Sequence, residues 1–349
     1  MSETRRRLLL VLRYGIGLLA LGWLVTQADW GTVLSRLSGM APWAVAVVLG
    51  VSVLGTVVQF GMWHVLLNRV RPTPFRAAAG VMLTVRFVNH LTPSQAVGKS
   101  LAPVVLRQYT GYSWGVVVAV ATLHTSLFAL LYGVVATAGL AVFAPSLSPG
   151  ILLVIAGSAA LYLLAGTILL LSGTRLGSAA TVAAAIERWL PVARIPYAQA
   201  ILDKATDALP DIGAETAETL RTLRRDPIAL GGYTLGWVFA LLVAPGVRTW
   251  LLLAAAGVQF DPSLALPLSP VVALPLALLT AYAVTLLPIT PGGIGVAEAS
   301  ATLVLGALGV PPAIAGPTIL IDRFLGTYLP AVVGWYPTMS VDLSGASAE

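Results

Sequence analysis

The feature that most limits what this chain can fold into is a series of long apolar segments. Six of them, at roughly 8–26, 42–66, 114–143, 150–172, 229–256 and 313–336, run without a break, and a membrane-crossing helix needs only about 20 residues. Hydrophobic residues form 58% of the 349 positions and charged residues only 10%, whereas soluble proteins carry about 25% charged residues. We therefore predict an all-α polytopic membrane protein with about six full spans.

Two further apolar regions, 76–108 and 266–310, are interrupted by turn-forming and polar residues. The first breaks within 89–99, and the second breaks at Leu287-Pro-Ile-Thr-Pro-Gly-Gly-Ile-Gly-Val-Ala-Glu298. Irregular backbone persists at membrane depth only where protein buries it or where it lines a wet cavity. We predict two broken-helix, re-entrant hairpins beside a binding site; two short full spans remain the alternative for 76–108.

Basic residues predict the membrane topology of these segments, because lysine and arginine concentrate in the loops on the cytoplasmic side. If 76–108 enters and returns, 14 of the 20 lysines and arginines face the cytoplasm and only Arg36 lies in an external loop. The other five lie within apolar stretches. This count predicts both termini in the cytoplasm. No small-x-small cleavage site follows the first span, so we predict that it stays uncleaved, in a protein of the plasma membrane.

In this predicted topology the two hairpins enter from opposite faces of the membrane. Their breaks are also similar: Leu91-Thr92-Pro93 precedes Gly98, and Ile289-Thr290-Pro291 precedes Gly292. Inverted repeats with interrupted helices are typical of secondary transporters, whose substrate site lies where the breaks meet. We predict an N-terminal membrane half (1–172), a cytoplasmic helical connector (173–228) and a C-terminal membrane half (229–349).

Polar residues near the breaks are the candidate substrate-binding groups. Glu298 follows the glycines at the start of a half-helix, and an intramembrane carboxylate is costly enough to indicate a function, which we predict to be contact with a cationic headgroup or a coupling proton. A purely structural ion pair is the alternative role for Glu298. The neighbouring Asp322 and Arg323 point about 100° apart on a helix, so each needs another partner, and Glu298 is the partner we predict for Arg323. The remaining candidates in the second hairpin are Pro291, Gly292, Gly293 and Gly295.

The first hairpin contributes a second polar group. Arg86, Asn89 and His90 share one helical face at i, i+3 and i+4 spacing, and Lys99 follows the break. A polar face within an apolar helix is expected to face a cavity. We predict that Arg86, Lys99 and Arg323 contact phosphate; snorkelling of the long side chains to the interface is the alternative.

Several function classes are disfavoured by what the sequence lacks. It has no cysteine and three histidines, without the spacing of a metal site. Motifs for nucleotide binding or acyl transfer are absent. We therefore predict a protein that is not an enzyme, has no cofactor and does not bind nucleic acid. An intramembrane enzyme acting on lipid-linked substrates is the weakest alternative.

The C-terminal half of the chain resembles the lysylphosphatidylglycerol synthase transmembrane family. The resemblance lies in the second break and in Leu308-Gly-Val310, Asp322-Arg323 and Gly334-Trp335, which follow it. Phe87-Val-Asn-His-Leu-Thr-Pro93 and Gly98 resemble its first motif, but Lys99 stands where members often carry an acidic residue. The resemblance implies a flippase-like membrane domain. The soluble aminoacyl-transferring domain of the full synthase has no counterpart in this sequence, so lipid translocation is implied and lipid aminoacylation is not.

These observations predict a lipid flippase or lipid-linked-substrate transporter that binds a phosphate-bearing headgroup between the two hairpins. Its membrane-lipid partner would be a phospholipid, an aminoacylated lipid or a prenyl-phosphate-linked molecule. The protein partners compatible with this interpretation are a second copy of the chain or a separate synthase or transferase. The alternative is a secondary transporter of a small soluble solute built on the same architecture.

Overall fold

The protein is described by a computed structural model that covers residues 15, 18–22, 25–26, 29–91, 101–175, 209–260, 268–287 and 289–339. Within these ranges every regular element is helical and no strand occurs, which confirms the all-α prediction. Most of the predicted first span (8–26) and the first break with Lys99 lie outside the described residues.

The helices are numbered here in chain order. They are α1 (Trp30–Ser38), α2 (Pro42–Val70), α3 (Phe75–Leu91), α4 (Ala102–Thr110), α5 (Trp114–Phe143), α6 (Pro149–Arg175), α7 (Leu209–Arg225), α8 (Pro227–Ala255), α9 (Pro270–Leu286), α10 (Val296–Ala307), α11 (Pro312–Arg323), α12 (Leu329–Val333) and α13 (Trp335–Thr338).

Four described helices are long and apolar enough to cross a membrane. They are α2, α5, α6 and α8, and they coincide with the predicted spans 42–66, 114–143, 150–172 and 229–256. The predicted span 313–336 folds as α11 and α12, joined by a π-helical turn at Phe324–Tyr328. A second π-helical turn, Phe239–Val243, lies inside α8. The four long helices confirm a membrane-embedded helical bundle.

The starts of the helices follow from simple backbone chemistry. Pro42, Pro227, Pro270 and Pro312 each occupy the first helical position, where the missing N–H costs nothing. Asp226 caps α8 by accepting hydrogen bonds from the backbone N–H groups of residues 228 and 229, at 2.9 and 3.0 Å. These residues fix where α2, α8, α9 and α11 begin.

Glycines allow α5 and α6 to pack closely. A Cβ atom at Gly133 would lie 2.9 Å from the backbone nitrogen of Leu163, and a Cβ at Gly166 would lie 2.9 Å from that of Leu130. Small residues of this kind let helix backbones approach each other inside membranes. Close packing matters there because lipid tails are as apolar as the helices, so the hydrophobic effect contributes little to their association. The pair forms one wall of the bundle.

The first interrupted region folds as α3 and α4, which pack antiparallel. Tyr109, near the end of α4, lies against Gly80 early in α3, and its hydroxyl is 3.4 Å from Oγ1 of Thr84. The same hydroxyl donates to the Pro337 carbonyl of α13 at 2.9 Å. The nine residues of α4 extend only about 14 Å at 1.5 Å per residue, less than half the hydrocarbon thickness.

The second interrupted region folds as α9 and α10, and Ser300 Oγ donates to the Ala281 carbonyl at 2.9 Å near the tip. Between the helices, Gly292, Gly293 and Gly295 have φ angles of 61°, 74° and 82°. Only glycine adopts this left-handed region without a steric penalty. The glycines are therefore required by the turn that reverses the chain.

The described end of the connector, α7, packs on the start of α5. Thr216 Oγ1 donates to the Gly115 carbonyl at 3.1 Å, and Ser113 Oγ donates to Glu215 Oε1 at 2.5 Å. Ala217, Leu220 and Leu223, which recur at helical spacing, are buried. The rest of the connector, 176–208, lies outside the described residues.

Candidate functional site

A cavity of about 210 Å³ lies inside the bundle, among α2, α3, α5, α6, α8, α9 and α11. One part of its wall is polar and the other is aromatic. The polar wall includes Gln59, Arg86, Asn89, His90, Arg248, Asp322 and Arg323. The aromatic wall includes Trp63, His124, Phe128, Tyr132, Tyr162 and Tyr282.

Glu298 is completely buried beside this cavity and does not line it. Its Oε2 accepts a hydrogen bond from the backbone N–H of Gly295 at 2.7 Å, which caps the start of α10. Its Oε1 accepts from Arg323 Nε at 2.8 Å and from the hydroxyl of Tyr328. The predicted Glu298–Arg323 pair is confirmed, and both carboxylate oxygens are occupied.

Asp322 forms a second buried ion pair, with Arg248. The Nε of Arg248 lies 2.6 Å from Oδ1 of Asp322, and both side chains are almost inaccessible to solvent. The other carboxylate oxygen lies 3.4 Å from the hydroxyl of Tyr282. The expectation that Asp322 needs a partner other than its neighbour is confirmed. The sequence did not identify that partner, although Arg248 is one of the few basic residues in an apolar stretch.

The π-helical turn after α11 makes room for the Arg248 guanidinium. A Cβ atom at Gly326 would lie 2.4 Å from Nη2 of Arg248, so a larger residue would displace that group. Gly326 and Thr327 also line the cavity, as do Ala240 and Leu241 from the π-helical turn in α8. Such turns are frequent at functional sites, and here both border the same cavity.

Arg86 has no ion-pair partner among the described residues. Its Nη2 donates to Gln59 Oε1 on α2 at 2.7 Å, while its buried Nη1 has no hydrogen-bond acceptor in the described part of the chain. One positive charge at the cavity is therefore uncompensated, because Arg248 and Arg323 are each paired with a carboxylate. Gln59 was not among the predicted residues.

His90 lies one turn beyond Arg86 on α3 and joins the two hairpins. Its Nδ1 bonds the Arg86 carbonyl at 2.8 Å and therefore carries the proton, which leaves the buried Nε2 as an acceptor without a partner. A Cβ at Gly292 would lie 3.1 Å from the His90 ring. The end of α3 thus meets the second break. Oδ1 of Asn89 is likewise buried and unpartnered within the described residues.

Four of the predicted site residues line the same cavity: Arg86, Asn89, His90 and Arg323. Gly292, Gly293, Gly295 and Glu298 are not among the residues that line it. Gly292, Gly293 and Gly295 shape the turn behind it, Pro291 opens that turn, and Glu298 holds Arg323. Lys99 lies outside the described residues. Substrate binding by this set stays a prediction.

The aromatic wall was not predicted as part of a site. Trp63 and His124 stack with ring centroids 3.7 Å apart, and Tyr132 and Tyr162 stack at 4.6 Å. These residues come from three different long helices, so no local sequence motif could predict that they cluster. In the described ranges, no three histidine, aspartate or glutamate side chains converge as a metal site would require.

Comparison with known proteins gives one family. The family model described as "Lysylphosphatidylglycerol synthase TM region" matches residues 10–334, nearly the whole chain. No curated protein and no solved structure matches the chain.

Proposed function

This chain belongs to the lysylphosphatidylglycerol synthase TM region family, and from that membership and the cavity we propose that it is a lipid flippase or lipid-linked-substrate transporter and not an enzyme. The phosphate-bearing headgroup would occupy the cavity while the acyl or prenyl chains stay in the bilayer. The protein would act in the plasma membrane with both termini in the cytoplasm. A lipid partner agrees with the lipid in the family's description.

The observation that carries this proposal is the pair of unsatisfied arginine nitrogens at the cavity. Arg86 Nη1 and Arg323 Nη2 are both buried and lack acceptors among the described residues. Unpaired buried donors are rare because each costs free energy, and an arginine in a membrane segment is costlier still. Guanidinium groups match the geometry of phosphate oxygens. A lipid phosphate would satisfy both donors and neutralise the charge of Arg86.

Transport is favoured over catalysis by the state of the carboxylates. Both carboxylates near the cavity, Asp322 and Glu298, are held in buried ion pairs. Neither is free to act as a general base, which would need an accessible oxygen within hydrogen-bond reach of a substrate proton. Among the described residues the site offers recognition groups for an anion, and His90 Nε2 is an acceptor without a partner, but no carboxylate at the cavity is free to complete an acid–base pair with it.

The proposed transport cycle is a movement of the N-terminal half (1–172) against the C-terminal half (229–349). The Arg86–Gln59 bond joins residues of the first half, and both ion pairs join residues of the second. Across the cavity Arg248 and Ser52 lie 3.4 Å apart, and shorter bonds between the halves, such as the one from the Tyr109 hydroxyl to the Pro337 carbonyl at 2.9 Å, would have to break during the movement. Each half could therefore move as a unit, as in transporters built from repeats.

The shortness of α4 and the antiparallel packing of α3 and α4 support a hairpin that enters and leaves from one face. The meeting of His90 with Gly292 supports hairpins that enter from opposite faces and approach each other at the substrate site. An inverted repeat would produce this arrangement. The finer topology, with about six full spans and two re-entrant hairpins, is part of the proposal.

The test is lipid translocation in proteoliposomes, with labelled phosphate-bearing lipids and the variant Arg86→Gln. The matched control is Arg76→Gln, an exposed arginine on the same helix. Wild type and Arg76→Gln should move lipid, and Arg86→Gln should be slower by at least tenfold. Absence of lipid movement by folded wild-type protein would reject a flippase. Stabilisation of the detergent-solubilised protein by a soluble solute, without lipid, would favour the small-solute transporter instead.

A further inference from the structure

We infer that the cavity selects a net-anionic, hydroxyl-bearing phospholipid headgroup and discriminates against headgroups that add an ammonium to the same phosphate. This inference rests on the proposed function and names the substrate class of that site. It separates phosphatidylglycerol-like or glycosyl-phosphate lipids from aminoacylated lipids such as the one in the family's description.

The first argument is the balance of charge. Three arginines stand at or beside the cavity, namely Arg86, Arg248 and Arg323, and two carboxylates, Asp322 and Glu298, accompany them. Among the described residues the net charge is therefore positive by one. In a buried, poorly screened site such a charge attracts anions and repels cations. A lipid whose headgroup is cationic overall would meet like charge.

The second argument is that, in the part of the chain that the structure describes, no carboxylate oxygen near the cavity is open to an ammonium. Glu298 receives three donors and does not line the cavity. Asp322 does line it, but one oxygen holds Arg248 and the other faces Tyr282. An ammonium could approach Asp322 only by competing with a buried ion pair, and breaking such a pair leaves an uncompensated charge.

The third argument is the chemistry of the acceptors that remain. Asn89 Oδ1 and His90 Nε2 are buried without partners in the described part of the chain. They lie on α3 one turn beyond Arg86, so they can meet the part of a headgroup next to its phosphate. Neutral acceptors pair well with hydroxyl groups. A phosphate on the arginines with a hydroxyl on Asn89 or His90 would satisfy donors and acceptors together.

The aromatic wall does not change the net positive charge at the cavity. Trp63 has one face covered by His124, and Tyr132 has one face covered by Tyr162. Aromatic faces can attract an ammonium, but these rings add no formal negative charge to oppose Arg86. They supply apolar surface for the carbon-bound hydrogens of a polyol or sugar.

The experiment compares four labelled lipids with identical acyl chains in the same proteoliposomes. Phosphatidylglycerol is anionic with hydroxyls, phosphatidylmethanol is anionic without them, phosphatidylethanolamine is zwitterionic and lysylphosphatidylglycerol is cationic. We expect phosphatidylglycerol to move at least tenfold faster than lysylphosphatidylglycerol and at least twofold faster than phosphatidylmethanol, with phosphatidylethanolamine below both anionic lipids. Equal or faster movement of the cationic lipid would overturn the inference and leave the flippase intact. No movement of any lipid would overturn both.

A variant assigns the selectivity to the charge of Arg86. Gln59→Glu keeps the size of the side chain that holds Arg86 at 2.7 Å and gives that arginine a carboxylate. The preference for phosphatidylglycerol over lysylphosphatidylglycerol should fall at least fivefold. Gln108→Glu makes the same chemical change at an exposed position of α4 and should keep the wild-type ratio. An unchanged ratio in Gln59→Glu, measured on protein that still moves lipid, would overturn the assignment.

Discussion

Arg323 Nε lies 2.8 Å from Oε1 of Glu298, and this buried contact joins the half-helix after the second break to α11. The same carboxylate caps α10 through the N–H of Gly295. One side chain therefore fixes the start of a helix and orients a cavity arginine. Its position gives a buried carboxylate in an apolar segment a structural role, and any effect of Glu298 on substrate binding through Arg323 stays a prediction.

Replacement of Glu298 by glutamine should destabilise the protein. The variant leaves the buried Arg323 without its counter-charge, and breaking a buried pair costs about 3–5 kcal/mol. A clearly lower melting temperature of the purified protein in detergent is the expected result. Glu218→Gln, an exposed change on α7, should melt as wild type does. The double variant Glu298→Gln with Arg323→Gln should recover part of the loss, and failure to recover any would argue against an ion-pair origin.

Gly326→Ala should weaken the Arg248–Asp322 pair. The new methyl group would lie 2.4 Å from Arg248 Nη2, so the guanidinium must move away from the carboxylate. Overpacking of a buried site typically costs about 1–3 kcal/mol, and transport should slow as well. Gly231→Ala in α8 meets nothing within 4 Å and should be neutral. Equal thermal stability of the two alanine variants would contradict the proposed role of the π-helical turn.

Gly334→Ala should separate α13 from α3. A Cβ there would lie 2.2 Å from the Leu83 carbonyl oxygen, a backbone atom that cannot rotate away. We expect a loss of roughly 1–3 kcal/mol or more, seen as earlier unfolding in a detergent melt. Gly61→Ala on α2, where a Cβ meets nothing within 4 Å, is the matched control. A variant at Gly334 as stable as this control would show that the helices can part without cost.

Single introduced cysteines should reveal how the hairpins enter the membrane, since the sequence contains no cysteine of its own. Because α3 and α4 pack antiparallel, cysteines at Arg76 and Gln108 should react with an impermeant thiol reagent from the same, cytoplasmic side. A cysteine at Val271, exposed at the start of α9, should react from the opposite side. Labelling of positions 76 and 108 from opposite faces would reject a hairpin between them.

Much of the fold was predictable because membrane insertion imposes simple rules on sequence. Segments of sufficient length and apolarity indicated α2, α5, α6 and α8. The pair between Glu298 and Arg323 was predictable because intramembrane charges need partners.

The partner of Asp322 could not be predicted in the same way. Arg248 is 74 residues away along the chain, and only the packing of α8 against α11 brings the two together. The stack of Trp63 on His124 and the bond from Arg86 to Gln59 also join different helices. No sequence periodicity within one helix reports contacts of this kind, so the aromatic wall and the anchoring of Arg86 emerge only from the three-dimensional structure.

During synthesis, the ribosome makes Arg248 before it makes Asp322, its ion-pair partner. At about 5–20 residues per second, the intervening 74 residues take several seconds. An arginine at the centre of a membrane helix costs up to about 2.5–3.5 kcal/mol to insert, and the apolar remainder of α8 must offset the cost of Arg248 until its partner exists. The ion pair in the cavity wall can therefore form only late in synthesis, and an Asp322 variant is expected to leave the charge of Arg248 unmet.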